Sequence, residues 1–224
     1  MVDFSTAFSF IFAYKNALLS GLLNTLYYTA ISLVLGLALG FIVSMLRQSG
    51  NILLKTISGT YVEVFRGTPI LVQLFWFFFC LPAILGINLG NQVSTILTMT
   101  LYMGAISSES FRSALKSVGE EQKDACVSLG MSLPVMLLFV FLPQMLIRSV
   151  PTLLSNSVTL FKESALISAV GMGDLMYQGQ MIADSTARPV EILTTVALIY
   201  FIIAFTLTRA VTYYEKILLN KIKL

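Results

Sequence analysis

Histidine is missing from this chain, and cysteine occurs only twice, as Cys80 and Cys126. Without imidazoles or clustered thiols, function through a zinc centre or a ligated haem is excluded. Charge is scarce as well: Asp, Glu, Lys and Arg make up 11% of the residues against 57% hydrophobic ones, and mean hydropathy is +0.86. Soluble domains do not have that balance, whereas multi-span membrane proteins do. Signatures of chemistry are lacking too, with no G-x-x-x-x-G-K-[ST] loop, no H-E-x-x-H and no serine with a histidine partner. Any energy source has to come from another molecule. The two cysteines read as small apolar fillers on opposite sides of a bilayer, unable to pair. The opening MVDFSTAFSF carries Asp3 and no basic residue ahead of its apolar part, so it does not read as a cleavable signal peptide.

What is present is a set of long uncharged runs. Asn16 to Leu46 holds no charge, and neither does Gly67 to Ser108. As one straight helix the second run would measure about 63 Å, twice a hydrocarbon core of about 30 Å. It has to fold back, and the cluster Pro82, Gly86, Asn88, Gly90 and Asn91 supplies the turn. The reading is a single all-α integral membrane domain over residues 1–224 with five transmembrane helices. The spans are expected at about 16–46, 57–81, 92–111, 134–150 with a broken extension past Pro151 to 168, and 192–213. A loop over 112–133 separates the third from the fourth.

Lys and Arg set the orientation. With the N terminus outside and the C terminus cytoplasmic, Arg47, Lys55, Arg112, Lys116, Lys123, Arg209, Lys216, Lys221 and Lys223 fall inside, against only Lys15 and Arg188 outside. The net charge of +3 is thus a topology signal and does not indicate nucleic-acid binding. Glu63, Arg66, Arg148, Lys162 and Glu163 remain within or beside the apolar zone, where charges pair, line water or sit near the interface. Glu63 and Arg66, three apart, can meet on one helix face, either as an interfacial ion pair or on a substrate path. Lys162 and Glu163, after the break expected near Pro151, read as part of a path or gate.

The exception to the apolar pattern is Glu109 to Gly130, ESFRSALKSVGEEQKDACVSLG, which contains Glu109, Arg112, Lys116, Glu120, Glu121, Lys123 and Asp124. So polar a segment must leave the lipid. Val118, Gln122, Ala125 and Leu129 recur at helical spacing, with Gly119 and Gly130 as end signals. By pattern alone it is either a solvated loop or a short helix offered to another subunit.

These residues resemble the transmembrane permease subunits of bacterial ATP-binding-cassette importers, in the polar amino acid branch. That family's cytoplasmic loop carries E-A-A, three residues, then G; here Asp124, Ala125 and Cys126 are followed by Val127, Ser128, Leu129 and Gly130. Glu121 and Gln122 stand where the family commonly has G-Q, and Leu142-Pro143-Gln144 resembles its L-P-Q element. FRGTPILVQLF, Phe65 to Phe75 and including Gln73, resembles F-R-G-T-P-x-x-V-Q. LFKESALIS, Leu160 to Ser168, resembles L-x-K-D-T-S-L, and GLLNTLYYTAIS, Gly21 to Ser32, resembles the branch's first span. Asp124 for Glu and Cys126 for Ala are departures conservative in charge or size.

The resemblance covers nearly the whole chain and implies a type I importer permease fold without enzymatic activity of its own. It implies an ATPase-coupling contact at Gly119, Glu121, Gln122, Asp124, Ala125, Cys126, Leu129 and Gly130. It also implies two ATPase subunits that hold ATP and Mg, a second permease copy, identical or related, an extracytoplasmic binding protein, and a bacterial inner-membrane location. No cofactor is expected on this chain. A substrate path is placed at Glu63, Arg66, Gln73, Ser155, Asn156, Lys162 and Glu163. The branch often has Asn just after the fourth-span proline; here Ser155-Asn156-Ser157 lies one residue nearer Lys162. If Asn156 faces the cavity, its amide suits a neutral polar amino acid. The competing reading is a stand-alone channel or secondary transporter using the intramembrane charges as an ion relay, which leaves the charged island without a role.

Overall fold

The computed structural model describes residues 12–87 and 89–222, so Met1 to Ile11, Asn88, Lys223 and Leu224 lie outside it. All regular structure among the described residues is helical. In chain order it comprises α1 (Lys15–Leu46), α2 (Ile52–Gly67), α3 (Ile70–Phe75), α4 (Leu81–Leu85), α5 (Gly90–Lys116), α6 (Glu120–Ser128), α7 (Leu133–Met136), α8 (Leu142–Glu163), α9 (Leu175–Thr186) and α10 (Pro189–Ile222). Lys15–Leu46, Leu133–Val170 and Pro189–Ile217 are long and apolar enough to cross a membrane, and α2 with α3–α4 qualifies as a bent pair.

The amphipathic pattern is inverted relative to a soluble protein. On α1 the buried face is mostly small or hydroxylic, Gly21, Thr25, Thr29, Ser32, Gly36, Gly40 and Ser44 beside Leu18, Tyr28 and Val43, while Leu19, Leu23, Val34 and Ile42 point outward. Small residues let two backbones approach closely where lipid already solvates the large apolar side chains. The partner is α5, which makes the most extensive helix contact in the fold and buries Ser94, Thr95, Thr98, Gly104, Ser107 and Ser108. Several of these hydroxyls bond to backbone: Thr29 donates to the Thr25 carbonyl at 2.7 Å, Thr98 to Ser94 at 2.7 Å, and Ser107 reaches the Gly36 carbonyl of α1 at 3.2 Å, while Ser32, Thr95 and Ser108 are buried without a partner among the described residues. A Cβ on Gly40 would lie 2.8 Å from the Gly104 carbonyl oxygen and against Ser107. Gly40→Ala is therefore expected to cost about 1–3 kcal/mol by overpacking, read as lowered thermal unfolding in detergent. An unchanged transition would contradict this packing.

The helix expected over 57–81 starts earlier and turns through 109° between Gly67 and Ile70. Thr68 precedes Pro69 and is extended (φ −112°, ψ 142°), because the proline ring disfavours α geometry in the residue before it. Gln73 holds the corner, its Nε2 donating to the Phe65 and Thr68 carbonyls at 2.8 and 3.0 Å and to Thr68 Oγ1 at 2.8 Å.

Pro151 does not break the fourth helical region. It lies inside a continuous α8, because the flanking turns pack through Met145, Ser149, Val158, Leu160 and Phe161 against α5 and α10. The departures from α geometry fall elsewhere. Wide π turns occupy Trp76–Cys80 and Leu137–Phe141, just ahead of Pro82 and Pro143, whose missing N–H groups remove a regular helical bond. A 3₁₀ segment, Ser164–Val170, follows α8 and ends at Gly171 (φ 73°).

α9 docks onto α1 through polar contacts. Asn24 Nδ2 donates to the Gly173 carbonyl at 3.0 Å, and the Leu175 amide donates to Thr25 Oγ1 at 3.0 Å. Asp174 caps α9, accepting from the Met176 and Tyr177 amides at 3.1 and 3.4 Å. Burial pushes its carboxyl up to about 6, opposed by those amide bonds. The main core gathers Tyr28, Ile70, Leu74, Met99, Met103, Leu160 and Ile167, so the corner after α2 is packed against α1, α5 and the end of α8.

Candidate functional site

The charged island divides at Lys116. Glu109, Arg112 and Lys116 belong to the last turns of α5, so the loop proper is shorter than the expected 112–133. Glu109 is the centre of an ion cluster. Its Oε2 accepts from Nη1 of Arg47, the residue that caps α1, at 2.7 Å and from Arg112 Nε at 3.0 Å, its Oε1 accepts from Arg112 Nη2, and Arg66 Nη1 of α2 lies 3.7 Å away. Arg66 thus pairs with Glu109 and not with Glu63, because its end of α2 turns toward α5. One carboxylate joins three helices, a role the sequence hints at only through Glu109 being the first charge after Gly67–Ser108 and having Arg112 three residues on.

α6 begins after Gly119 with Glu120 and Glu121 in its first turn, where negative charge suits the helix dipole. It ends in a Schellman closure. The Met131 amide donates to the Cys126 carbonyl at 3.1 Å and the Gly130 amide to Val127 at 2.9 Å, with Gly130 left-handed at φ 69°. The stripe Val118, Gln122, Ala125, Leu129 is not the packed face. Val118 precedes the helix and is buried, Gln122, Ala125 and Leu129 are exposed, and Cys126 is the one buried residue of α6. The kink at Gly119 shifts the register, so Cys126 packs with Val118, Met136 and Phe141 instead.

Glu121, Gln122, Asp124, Ala125, Val127 and Leu129 all face outward, and Leu129 is 78% exposed. The Lys123–Glu120 pair at 3.2 Å is exposed and contributes little. The loop is tied to α8 by two contacts: Gln144 Nε2 donates to Gln122 Oε1 at 2.5 Å, and Arg148 Nη1 donates to the Ser117 carbonyl.

The path residues separate in space. Arg66 and Glu163 line one cleft of about 370 Å³, together with Thr68, Ile70, Tyr102 and Leu166. Gln73 is buried at the corner behind it. Asn156 lies outside that lining, its Nδ2 donating to Ser110 Oγ of α5 at 2.9 Å. Ser155 and Lys162 are exposed on α8, and Glu63 faces a different, basic cavity. Tyr102 is a cleft residue that no motif singled out. Among the described residues no cluster of Cys, Asp or Glu could hold a metal ion.

Known proteins match this arrangement. The family described as the binding-protein-dependent transport system inner membrane component matches residues 32–218. The arginine transport system permease protein ArtQ of Bacillus subtilis is 32% identical over 169 residues, 75% of this chain and 77% of that one. The probable glutamine ABC transporter permease protein GlnP of the same organism is 34% identical over 176 residues, covering 76% and 79%. A crystal structure of an amino acid ABC transporter with histidines superposes with a TM-score of 0.90 at 28% identity, over 96% of this chain and 99% of that one. The methionine transporter MetNI, captured facing inward, superposes at 0.74 with 22% identity over 92% and 98%, which is a likeness of fold. With the family matched over most of its length and relatives above 30% identity aligned over three quarters of it, this chain belongs to the inner-membrane components of binding-protein-dependent transport systems.

Proposed function

We propose that this chain is the permease subunit of an ATP-driven importer of polar amino acids in a bacterial inner membrane. It forms the path while ATPase subunits, holding ATP and Mg, do the hydrolysis. The observation that carries the reading is α6, a short acidic helix with an outward apolar edge at Val127 and Leu129 and fixed links to α8 through Gln122 and Ser117. A partner's groove covering that edge would pull on α8. The family and the named substrates of its relatives point the same way.

In this reading the chain crosses the membrane five times, N terminus outside and C terminus inside. The fifth crossing is α5, whose Ser- and Thr-rich surface faces protein and so has no need of hydropathy. A second permease copy completes the path, two ATPases act on the α6 helices, and an extracytoplasmic binding protein delivers substrate. Gly119, Glu121, Gln122, Asp124, Ala125, Leu129 and Gly130 form the coupling contact, while Cys126, expected there, is buried and holds the helix from behind.

The cleft between the α2 corner and the end of α8 offers one cation, Arg66, and one carboxylate, Glu163. That pair is complementary to the carboxylate and ammonium of an amino acid. Asn156 acts as a brace between α8 and α5. Glu163→Gln is expected to lower ATP-driven uptake about tenfold to a hundredfold, the loss of one charge-assisted hydrogen bond, without preventing assembly. Uptake at the wild-type rate would remove Glu163 from the path.

A further inference from the structure

Two cavities adjoin where the ends of α1 and α5 meet, and neither belongs to the amino acid cleft or to the outer face of α6. The first, of about 590 Å³, is walled by four cations, Arg47, Lys55, Arg112 and Lys116, and one carboxylate, Glu63. The second, of about 500 Å³, is lined almost wholly by apolar side chains, among them Leu133, Leu137, Leu138, Phe141 and Met145. Gln48 and Leu115 line both, so a single molecule can enter the two together.

We propose that this pair of cavities binds one anionic phospholipid, its phosphodiester headgroup in the basic cavity and an acyl chain in the apolar one. The charge argument is direct. Arg47, Arg112 and Arg66 already share Glu109, and among the described residues Lys55 and Lys116 are in no ion pair. Four cations against Glu63 in the wall and Glu109 behind it leave the cavity with excess positive charge. Cations clustered between membrane helices at the basic side of a protein attract anionic headgroups. Glu63 adds an acceptor for a headgroup hydroxyl and favours a singly charged phosphodiester over a dianion.

The apolar groove selects among anions. Leu133 and Leu138 are exposed there, and a soluble phosphate would leave them uncovered, whereas a neutral lipid would leave the lysines unpaired. At the start of α2, Ile52, which also lines the basic cavity, is 75% exposed, and Leu53 beside it is exposed as well. The mouth of the site is thus framed by residues suited to lie against lipid. The inference rests on membrane residence alone, so its failure would leave the amino acid reading untouched.

The test uses the purified importer complex in mild detergent, given equal amounts of phosphatidylglycerol and phosphatidylcholine with the same acyl chains, with retained lipid read by native mass spectrometry. Wild type should retain phosphatidylglycerol preferentially. Each lysine near an anionic headgroup is worth about fivefold in binding, so Lys55→Ala with Lys116→Ala should weaken retention roughly twenty-five-fold. Both side chains are exposed, so the fold is unaffected, and Lys55→Arg with Lys116→Arg should retain the lipid. Inorganic phosphate in large excess should not displace it. Equal retention by wild type and the double alanine variant, equal retention of phosphatidylcholine, or displacement by inorganic phosphate alone would each overturn the proposal.

Discussion

Glu109→Gln is expected to destabilise the permease by about 3 kcal/mol. The Glu109 side chain is 22% exposed and lies within reach of Arg47, Arg66 and Arg112. Breaking a buried ion pair by removing one partner costs about 3–5 kcal/mol, because the remaining charge has no compensation. Partial exposure places this case at the lower end. Here three guanidiniums from α1, α2 and α5 would face one another without a carboxylate, so these helix ends should separate and uptake should fall with stability. Thermal unfolding of the purified protein measures the loss. Adding Arg66→Gln to Glu109→Gln should recover part of it, since one of the uncompensated charges is then gone. A loss below about 0.5 kcal/mol would mean that the cluster is only a surface network.

Gly130→Trp should have the second largest effect, on coupling more than on stability. Gly130 is left-handed (φ 69°), and a Cβ there would meet nothing within 4 Å in this chain. The cost within the chain is the left-handed backbone of an L residue, about 1–2 kcal/mol, which the fold can absorb. A bulky side chain would project beside the exposed Val127 and Leu129, on the face assigned to the ATPase. ATP-driven uptake in the reconstituted importer should fall at least tenfold, with hydrolysis either uncoupled or lost through failed assembly, while the isolated permease still folds. Gly130→Ala, with the same backbone strain and little bulk, should retain most uptake. Uptake by Gly130→Trp within twofold of wild type would argue against the coupling role.

The parts legible in the sequence were those with local causes. The helix ending near Gly130 was legible because a short helix closed by a left-handed glycine is specified by neighbours in sequence, whereas Asp124 to Gly130 stands out within it through its resemblance to the family's loop element. The apolar runs announced a membrane protein by length alone. The Glu109 cluster was not legible, since Arg47 and Arg66 reach it only after α1 and α2 have packed on α5. The one buried position of α6 was not legible, because the kink at Gly119 resets the helical register and hands it to Cys126. The corner at Thr68 and Pro69 did have a local signal, the residue before a proline, but uninterrupted hydropathy from Gly67 onward concealed it. Pro151 shows the converse: a strong local signal overridden by packing of α8 against α5 and α10.

Transport in sealed proteoliposomes tests the central claim most directly. The permease is reconstituted with its ATPase and binding protein, and uptake of a labelled polar amino acid is followed with ATP supplied on the ATPase side. The account predicts accumulation that requires ATP, the ATPase and the binding protein together, and that is lost in Gly130→Trp. Accumulation by the permease alone, driven by an ion gradient and indifferent to ATP, would contradict it and identify the chain as a self-sufficient carrier.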